Sequence, residues 1–254
     1  RGMDLKKVTH FPDVDVIFHM AAFNGTKFFY EKPFEVINDN ILPTINLLNE
    51  YSARDKKPLF IYAGTPEATA GATQMFDWPL PTTEEAPYVV QDPKNPRWSY
   101  ANSKALGEQA VIHNGVLDWI AVRPQNVYGP RQVDHFISEF VERAKQDNFS
   151  VFGGVNTRTF LYIDDCVDAF IKLWKTKSAH NDIYNLGGNT ETAIHSVASL
   201  LMQLMGKKGE LVIHPAPKGS VNRRWPDITK IKKANGWEPA TELAVGLGKT
   251  LETL

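Results

Sequence analysis

Tyr100 and Lys104, in the segment SYANSK, stand four residues apart. On a helix that spacing stacks the two side chains on one face, about a turn from each other. A tyrosine hydroxyl titrates near 10 in water. A neighbouring ammonium favours the phenolate and brings the group toward acid/base use at neutral pH. The chain has eight tyrosines, so one Tyr-x-x-x-Lys pair arises readily by chance, and a surface contact of that kind contributes only a few tenths of a kcal/mol. Thr65, in AGTPE just after the apolar run LFIYA, is placed where open α/β sheets gather their ligands, beyond the C-terminal ends of strands. Its hydroxyl could bind a substrate oxygen; alone, it reads as an ordinary cap or turn residue. Glu67, two residues on, is a candidate second acid/base group or simply a solvated carboxylate.

The elements that must position these residues are legible as apolar runs and helical spacings. VDVIFHMAA (residues 14–22), LFIYA (59–63) and WIAV (119–122) read as buried parallel strands. Helical patterns run over 35–51, with Ile37, Ile41, Ile45 and Leu48 in register, and over 99–113 and 134–145. Gly71 to Pro96 reads as a long polar, proline-rich loop. Strands alternating with helices predict an α/β fold with a doubly wound parallel sheet. Past residue 148 the pattern changes to short strand-like pieces (SVFG, TFLYI, IYNLGG, ELVIH) between helices at 166–175 and 192–205. The expected division is 1–148 for the sheet domain and 149–254 for a smaller mixed α/β region interleaved with it.

The chain has 254 residues, 43% hydrophobic and 22% charged, with a formal net charge of -1. That length buries a core without staples, and the balance, with no basic block, gives no support for nucleic acid or an anionic membrane surface as partner. A lone cysteine, Cys166, excludes an internal disulfide and suits a reducing, cytoplasmic setting, and no metal site is expected. No apolar run approaches the ~20 residues of a membrane span.

Taken in order, FHMAA (Phe18–Ala22), Asn40 in NILPTINLL, IYAGTPE, YANSK and RPQNVYGP (Arg123–Pro130) resemble the extended short-chain dehydrogenase/reductase family, in its nucleotide-sugar epimerase, dehydratase and decarboxylase branch. The resemblance continues through VFGG (Val151–Gly154), RTFLYIDD (Arg158–Asp165), IYNLGG (Ile183–Gly188) and RRWPDITKIKKANGWEP (Arg223–Pro239), covering nearly the whole chain. It implies a Rossmann-like fold, NAD as cofactor with NADP the other option, a nucleotide-diphosphate sugar as substrate, and a homodimer built on the two helices carrying Asn40 and Tyr100. By position, Tyr100 resembles the catalytic acid/base, Lys104 its electrostatic partner at the nicotinamide ribose, and Thr65 the family's Ser/Thr site. The resemblance places His19, Ala21, Ala22, Asn40 and Pro124 around the cofactor. It places Asn126, Val151, Phe152, Arg158, Arg224 and Asp227 around the nucleotide and diphosphate, the planar guanidinium fork suiting phosphate oxygens. The aspartates of IDD read as a helix cap and the tryptophan of GWEP as a core anchor.

The sequence departs from the family pattern in two places. The Gly-rich turn G-x-x-G-x-x-G, which the family places roughly sixty residues before the FHMAA segment, has no counterpart in the eighteen residues before His19. The reading this favours is a fragment without the first βαβ unit. The family's S-[ST]-S-E-V-Y-G reads Gly64-Thr65-Pro66-Glu67-Ala68-Thr69-Ala70. Pro66 stands where an Asp acts as acid in hexose 4,6-dehydratases, which argues against that reaction. Epimerisation through a transient 4-keto sugar ranks first because it needs the fewest extra groups. Decarboxylation of a nucleotide-linked uronic acid, or dehydration, ranks next, with Glu67, PRWSY and RRWPDI in support of decarboxylation. A reductase of a non-nucleotide carbonyl compound using NADP and a non-catalytic member of the fold are the remaining alternatives. The expected outcome for the 254-residue polypeptide is weak NAD affinity, checked by measuring the NAD that it retains on purification; stoichiometric retention would refute it.

Overall fold

The computed structural model describes residues 4–7, 11–217 and 219–254. LFIYA, apolar at every position, needs cover on both faces, and it becomes the second strand of a four-stranded, all-parallel sheet. The strands are β1 (Val16–His19), then α1 (Thr26–Glu31) and α2 (Pro33–Ser52), β2 (Leu59–Ala63), then α3 (Glu67–Phe76) and α4 (Trp98–Ile112), and β3 (Trp119–Pro124). The chain continues through β4 (Val127–Tyr128), α5 (His135–Lys145), β5 (Ser150–Phe152), β6 (Thr157–Arg158), β7 (Leu161–Tyr162) and α6 (Ile163–Lys175). Next come β8 (Asp182–Leu186), β9 (Thr192–Ala193), α7 (Ile194–Leu204), β10 (Val212–His214), β11 (Arg223–Arg224), α8 (Thr229–Asn235) and α9 (Leu243–Leu251). In space the main sheet runs β1-β2-β3-β8.

The alternation of side chains along β2 builds the two layers of the core. Leu59 and Ile61 pack with Phe170 and Leu173 of α6, Ile231 of α8 and Trp237. Phe60 and Tyr62 face the other way, onto Leu47, Leu48 and Tyr51 of α2 and Val111 of α4. This is the doubly wound arrangement expected from the sequence. A second core, of Phe140 and Val141 (α5), Val151, Leu201 (α7) and Leu247 (α9), accompanies the smaller sheets β10-β5, β11-β6-β9 and β4-β7. Among the described residues no helix is long and apolar enough to cross a membrane.

Several expectations are corrected. VDVIFHMAA is a strand only over Val16–His19; Met20 to Ala22 leave the sheet as exposed or half-buried loop at its C-terminal end. The loop expected from Gly71 begins later, because Gly71 to Phe76 complete α3. Gly71 is there for close packing: a Cβ on it would lie 2.9 Å from Val89 Cγ1. Asp77 ends the helix in the left-handed region (φ 50°). Of TFLYI only Leu161 and Tyr162 form a strand, β7; Thr159 and Phe160 link it to β6, and Ile163 begins α6. The IDD aspartates do not cap α6, whose N-cap is Tyr162 without a side-chain bond. Asp165 instead accepts from Thr241 N (2.9 Å), while its carbonyl receives Trp237 Nε1 (3.1 Å). Trp237 is fully buried as the expected anchor.

What seats α4 on the sheet is an ion pair with no water around it. Arg123, at the end of β3, reaches Glu108 of α4 at 2.6 Å, both being at most 2% exposed. Its Nε shares the two carboxylate oxygens (3.2 Å each), its Nη1 donates to Glu84 O (3.0 Å), and Tyr88 Oη donates to Glu108 Oε1 (2.6 Å). Removing one partner leaves the other charge buried, a loss of about 3–5 kcal/mol, whereas exchanging both for apolar groups of similar volume is far milder. Glu108→Leu is therefore expected to lower stability by that amount and Glu108→Leu/Arg123→Met to recover most of it, as read from urea denaturation midpoints. Equal losses in the single and double variants would contradict this.

Candidate active site

A cleft of about 730 Å³ opens over the C-terminal ends of β1, β2 and β3, bounded on its far side by the smaller region. The helix α4 presents Tyr100, Lys104 and Glu108 at successive i, i+4 positions. Tyr100 is held flat against Phe29, ring centroids 4.9 Å apart and planes 14° from parallel. The Lys104 ammonium sits 4.2 Å from the centre of the Tyr62 ring, a cation–π contact, and Tyr62 Oη donates to the Lys104 carbonyl (3.1 Å). Gly107 makes this possible, because any Cβ there would collide with the Tyr62 hydroxyl.

The charges of this wall differ from those expected. Burial, reinforced by the negative charge of Glu67, pushes the Tyr100 phenol well up, against the opposing hydrogen bond from Thr65. Lys104 is not among the main influences on it here, so of the two charges that favour the phenolate, Lys104 and a positive nicotinamide ring, the ring is the one still to be brought close. Lys104 is brought down to about 8 by burial, with Glu108 working against the shift. Among the described residues the Lys104 ammonium donates no hydrogen bond, although only 2% of the residue is exposed.

Two arginines of the smaller region and Arg97, from the start of α4 itself, gather about one carboxylate. Arg224 Nη1 donates to Glu67 Oε1 at 3.0 Å, and Arg97 Nη2 lies 3.7 Å from the same oxygen. Burial works to raise the Glu67 carboxyl, but Arg224, Arg97 and Arg158 outweigh it and hold the group below its usual range. Thr65 Oγ1 also accepts the Glu67 amide (3.3 Å), so Thr65 serves both the tyrosine and the first turn of α3. Arg158 lines the cleft, with donors on the carbonyls of Thr157, Val221 and Asn222.

The remaining sequence candidates divide. Ala22, Pro124, Asn126 and Phe152 line the cleft. Asn126 is fixed at φ 41° with its amide on Thr159 O (2.7 Å), and Phe152 stacks on His214 (4.8 Å, 22°). His19, Ala21, Asn40, Val151 and Asp227 do not line it. His19 points between α2 and β2, its Nε2 2.8 Å from Thr44 Oγ1. Asn40 is a buried tie, accepting Phe23 N (2.7 Å) and donating to Phe23 O (3.3 Å) and Ser103 Oγ (3.0 Å), which fixes the loop after β1 to α2 and α4. Val151 belongs to the second core because its neighbour Phe152 takes the outward face of the strand. Asp227 lies two residues before α8 and accepts Thr229 N at 2.7 Å. Arg97, Phe29, Tyr62 and Glu108 were not singled out from the sequence; Arg97 and Glu108 carried a signal, lying three residues before Tyr100 and four after Lys104.

A doubly wound parallel sheet with a Tyr-x-x-x-Lys helix and a threonine converging at its strand ends defines an α/β enzyme of the dinucleotide-binding type. Residues 2–187 match the model of the NAD dependent epimerase/dehydratase family, and the chain belongs to that family. It is 32% identical over 252 residues to a UDP-N-acetyl-alpha-D-glucosaminuronate decarboxylase of Bacillus cytotoxicus, covering 94% of this chain and 76% of that protein. It is 30% identical to a UDP-glucuronate 4-epimerase of Thermodesulfobacterium geofontis, covering 97% and 74% respectively. Among solved structures, the Bacillus cereus UDP-glucuronic acid 4-epimerase in complex with UDP-glucuronic acid and NAD superposes with a TM-score of 0.79 at 26% identity, covering 98% of this chain and 77% of that one. NAD is the family's cofactor, and the unpaired Lys104 ammonium beside Tyr100 and Pro124 fits its nicotinamide ribose, which offers hydroxyl acceptors.

Burial, with Lys104 adding to it, brings His19 down to about 3. A folded-state value below the unfolded 6.5 means that the unfolded chain takes up the proton first, so stability is complete above about 6.5 and falls as pH drops toward 3. Between pH 7 and 4 this one group is expected to remove about 3 kcal/mol. Urea titrations of wild type and His19→Gln at the two pH values test it: the variant should lose less by that difference, and equal losses would refute the assignment.

Proposed function

We propose that this enzyme decarboxylates a nucleotide-linked uronic acid through a 4-keto intermediate. The observation that carries the reading is Glu67, held ionised by Arg224 in the same cleft as Thr65 and Tyr100. Sequence alone ranked epimerisation first on economy of groups; a carboxylate kept charged at the cost of three neighbouring guanidiniums is more than epimerisation requires.

NAD, when bound beside Lys104 and Pro124, supplies the oxidation at C4. Tyr100 Oη, as the phenolate that Lys104 helps to stabilise, takes the proton of the C4 hydroxyl and becomes neutral, with Thr65 steadying the oxygen. With C4 at the ketone level the uronate is a β-keto acid. Its C5–C6 bond breaks, carbon dioxide leaves, and the electron pair moves toward the C4 oxygen, where Tyr100 and Thr65 can donate; C5 then takes a proton, and return of the hydride to C4, with the Tyr100 proton going back to the oxygen, gives the pentose. Arg224 and Arg158, paired across adjacent strands, hold the diphosphate, and Phe152 borders the nucleotide end. Pro66, beside Thr65 in the cleft, carries no proton for dehydration. C4 epimerisation of the same substrate is the second reading, favoured because Thr65, Tyr100 and Lys104 suffice for it and because the Thermodesulfobacterium relative is named for that reaction. A homodimer through α2 and α4 remains part of the proposal, since Phe34, Ile37, Leu42 and Leu106 are exposed on them.

With excess NAD and UDP-glucuronic acid, the expected products are carbon dioxide and a UDP-pentose, followed by trapped CO₂ and by chromatography. Tyr100→Phe should slow turnover at least about 100-fold. Accumulation of the C4 epimer without CO₂ would replace this reading with the second.

A further inference from the structure

The three guanidiniums around Glu67 differ in what already occupies their donors. Arg158 has three of its five N–H groups on backbone: Nη1 serves the Thr157 and Asn222 carbonyls and Nη2 the Val221 carbonyl, at 2.7–3.2 Å, which leaves Nε and one Nη2 proton for the diphosphate. Arg224 bonds Glu67 directly at 3.0 Å. Arg97 is 9% exposed, yet among the described residues its guanidinium makes no hydrogen bond and has one ion pair, at 3.7 Å. Its donors open on the cleft with no acceptor among those residues, so they are available to an anion bound there.

Helix stability does not account for this placement. Arg97 is the N-cap of α4, a position where a cation opposes the helix dipole, and it provides no side-chain cap. It is nevertheless held firmly. Its backbone amide donates to Asn95 Oδ1 (3.0 Å), and Gly219, at φ +84°, packs closely on it: a Cβ there would sit 3.4 Å from Arg97 Cδ and 2.9 Å from Asn95 Nδ2.

Position distinguishes the anion. Arg158 and Arg224 are register partners on β6 and β11, on the wall of the smaller region. Arg97 lies three residues before Tyr100, on the helix that carries the proton-handling hydroxyl and on the same cleft wall. A group bound there is adjacent to the reacting C4, and in a hexuronic acid the carboxylate carbon is two bonds from C4. Planar, doubly accepting carboxylate matches a guanidinium with free donors. We propose that Arg97 binds the carboxylate of the sugar and so selects uronic acids over neutral hexoses. This rests on the nucleotide-sugar reading above and assigns its selectivity to one side chain, Glu67 acting as the resting counter-ion.

Titration calorimetry with UDP, UDP-glucose and UDP-glucuronic acid tests it on wild type, Arg97→Gln and Arg97→Lys. Wild type should prefer the acid to UDP-glucose. Arg97→Gln should lose about 30-fold or more for the acid, with UDP and UDP-glucose within about 3-fold, and Arg97→Lys should fall between. Equal weakening for all three ligands would make Arg97 a diphosphate or structural residue and overturn the proposal, as would retained acid preference in Arg97→Gln. A wild type that binds no UDP ligand overturns both the proposal and the reading beneath it. Acid preference that depends on Arg97, without CO₂ release on turnover, overturns decarboxylation alone.

Discussion

The buried pair between Arg123 and Glu108 is the constraint on which the cleft depends. In the low dielectric behind the sheet, neither charge can exist alone, so the end of β3 and the middle of α4 must meet at one geometry. Further groups are recruited to satisfy the remaining lone pairs and protons: the Glu84 carbonyl and the Tyr88 hydroxyl, both from the long loop between α3 and α4. Gly64 is required for the same reason, since a Cβ on it would stand 2.6 Å from Glu108 Oε2. The tip of β2, which presents Thr65, is thereby brought against the helix that presents Tyr100.

From that anchor the electrostatics of the cleft follow in steps along α4. Glu108 opposes the loss of the Lys104 proton that burial promotes, and Lys104 in turn adds to the burial that keeps His19 neutral. One turn further, Tyr100 is beyond the reach of Glu108 as a main influence and answers to burial and Glu67 instead. The helix is a graded series of buried titratable groups, each biased by its neighbours. Across the cleft the sign reverses: Arg158 and Arg224 of the smaller region, joined by Arg97 from the start of α4, surround one carboxylate. A substrate lying between the walls has proton handling on one side and anion recognition on the other, joined by Glu67.

How much of this was visible beforehand depends on the range of the interaction. The strands 59–63 and 119–124 and the helices carrying Asn40 and Tyr100 were legible because their apolar periodicity is local and their faces must be buried. Thr65, Glu67, Tyr100 and Lys104 were legible through motif order, and the structure lines one cleft with all four. Asp227 and Val151 were misplaced because a side chain's direction at a strand edge or helix start is decided by what packs opposite: Thr229 N claims one, the second core the other. The helix through Gly71 was missed because glycine there answers to Val89, distant in sequence.

The sequence by itself determined the α/β alternation, the Tyr–Lys spacing and the family resemblance, since each is written in neighbouring residues and their order. Only the tertiary structure decided the charge states. Whether Tyr100 is lowered by Lys104 or raised by Glu67, and whether an arginine's donors are spent or free, depends on burial and on partners brought from distant segments. Arg158 and Arg97 are the same residue type in equally suggestive motifs. Three backbone carbonyls around one, and none around the other, are what separate a guanidinium fixed in the cleft wall from one with all its donors open to a ligand.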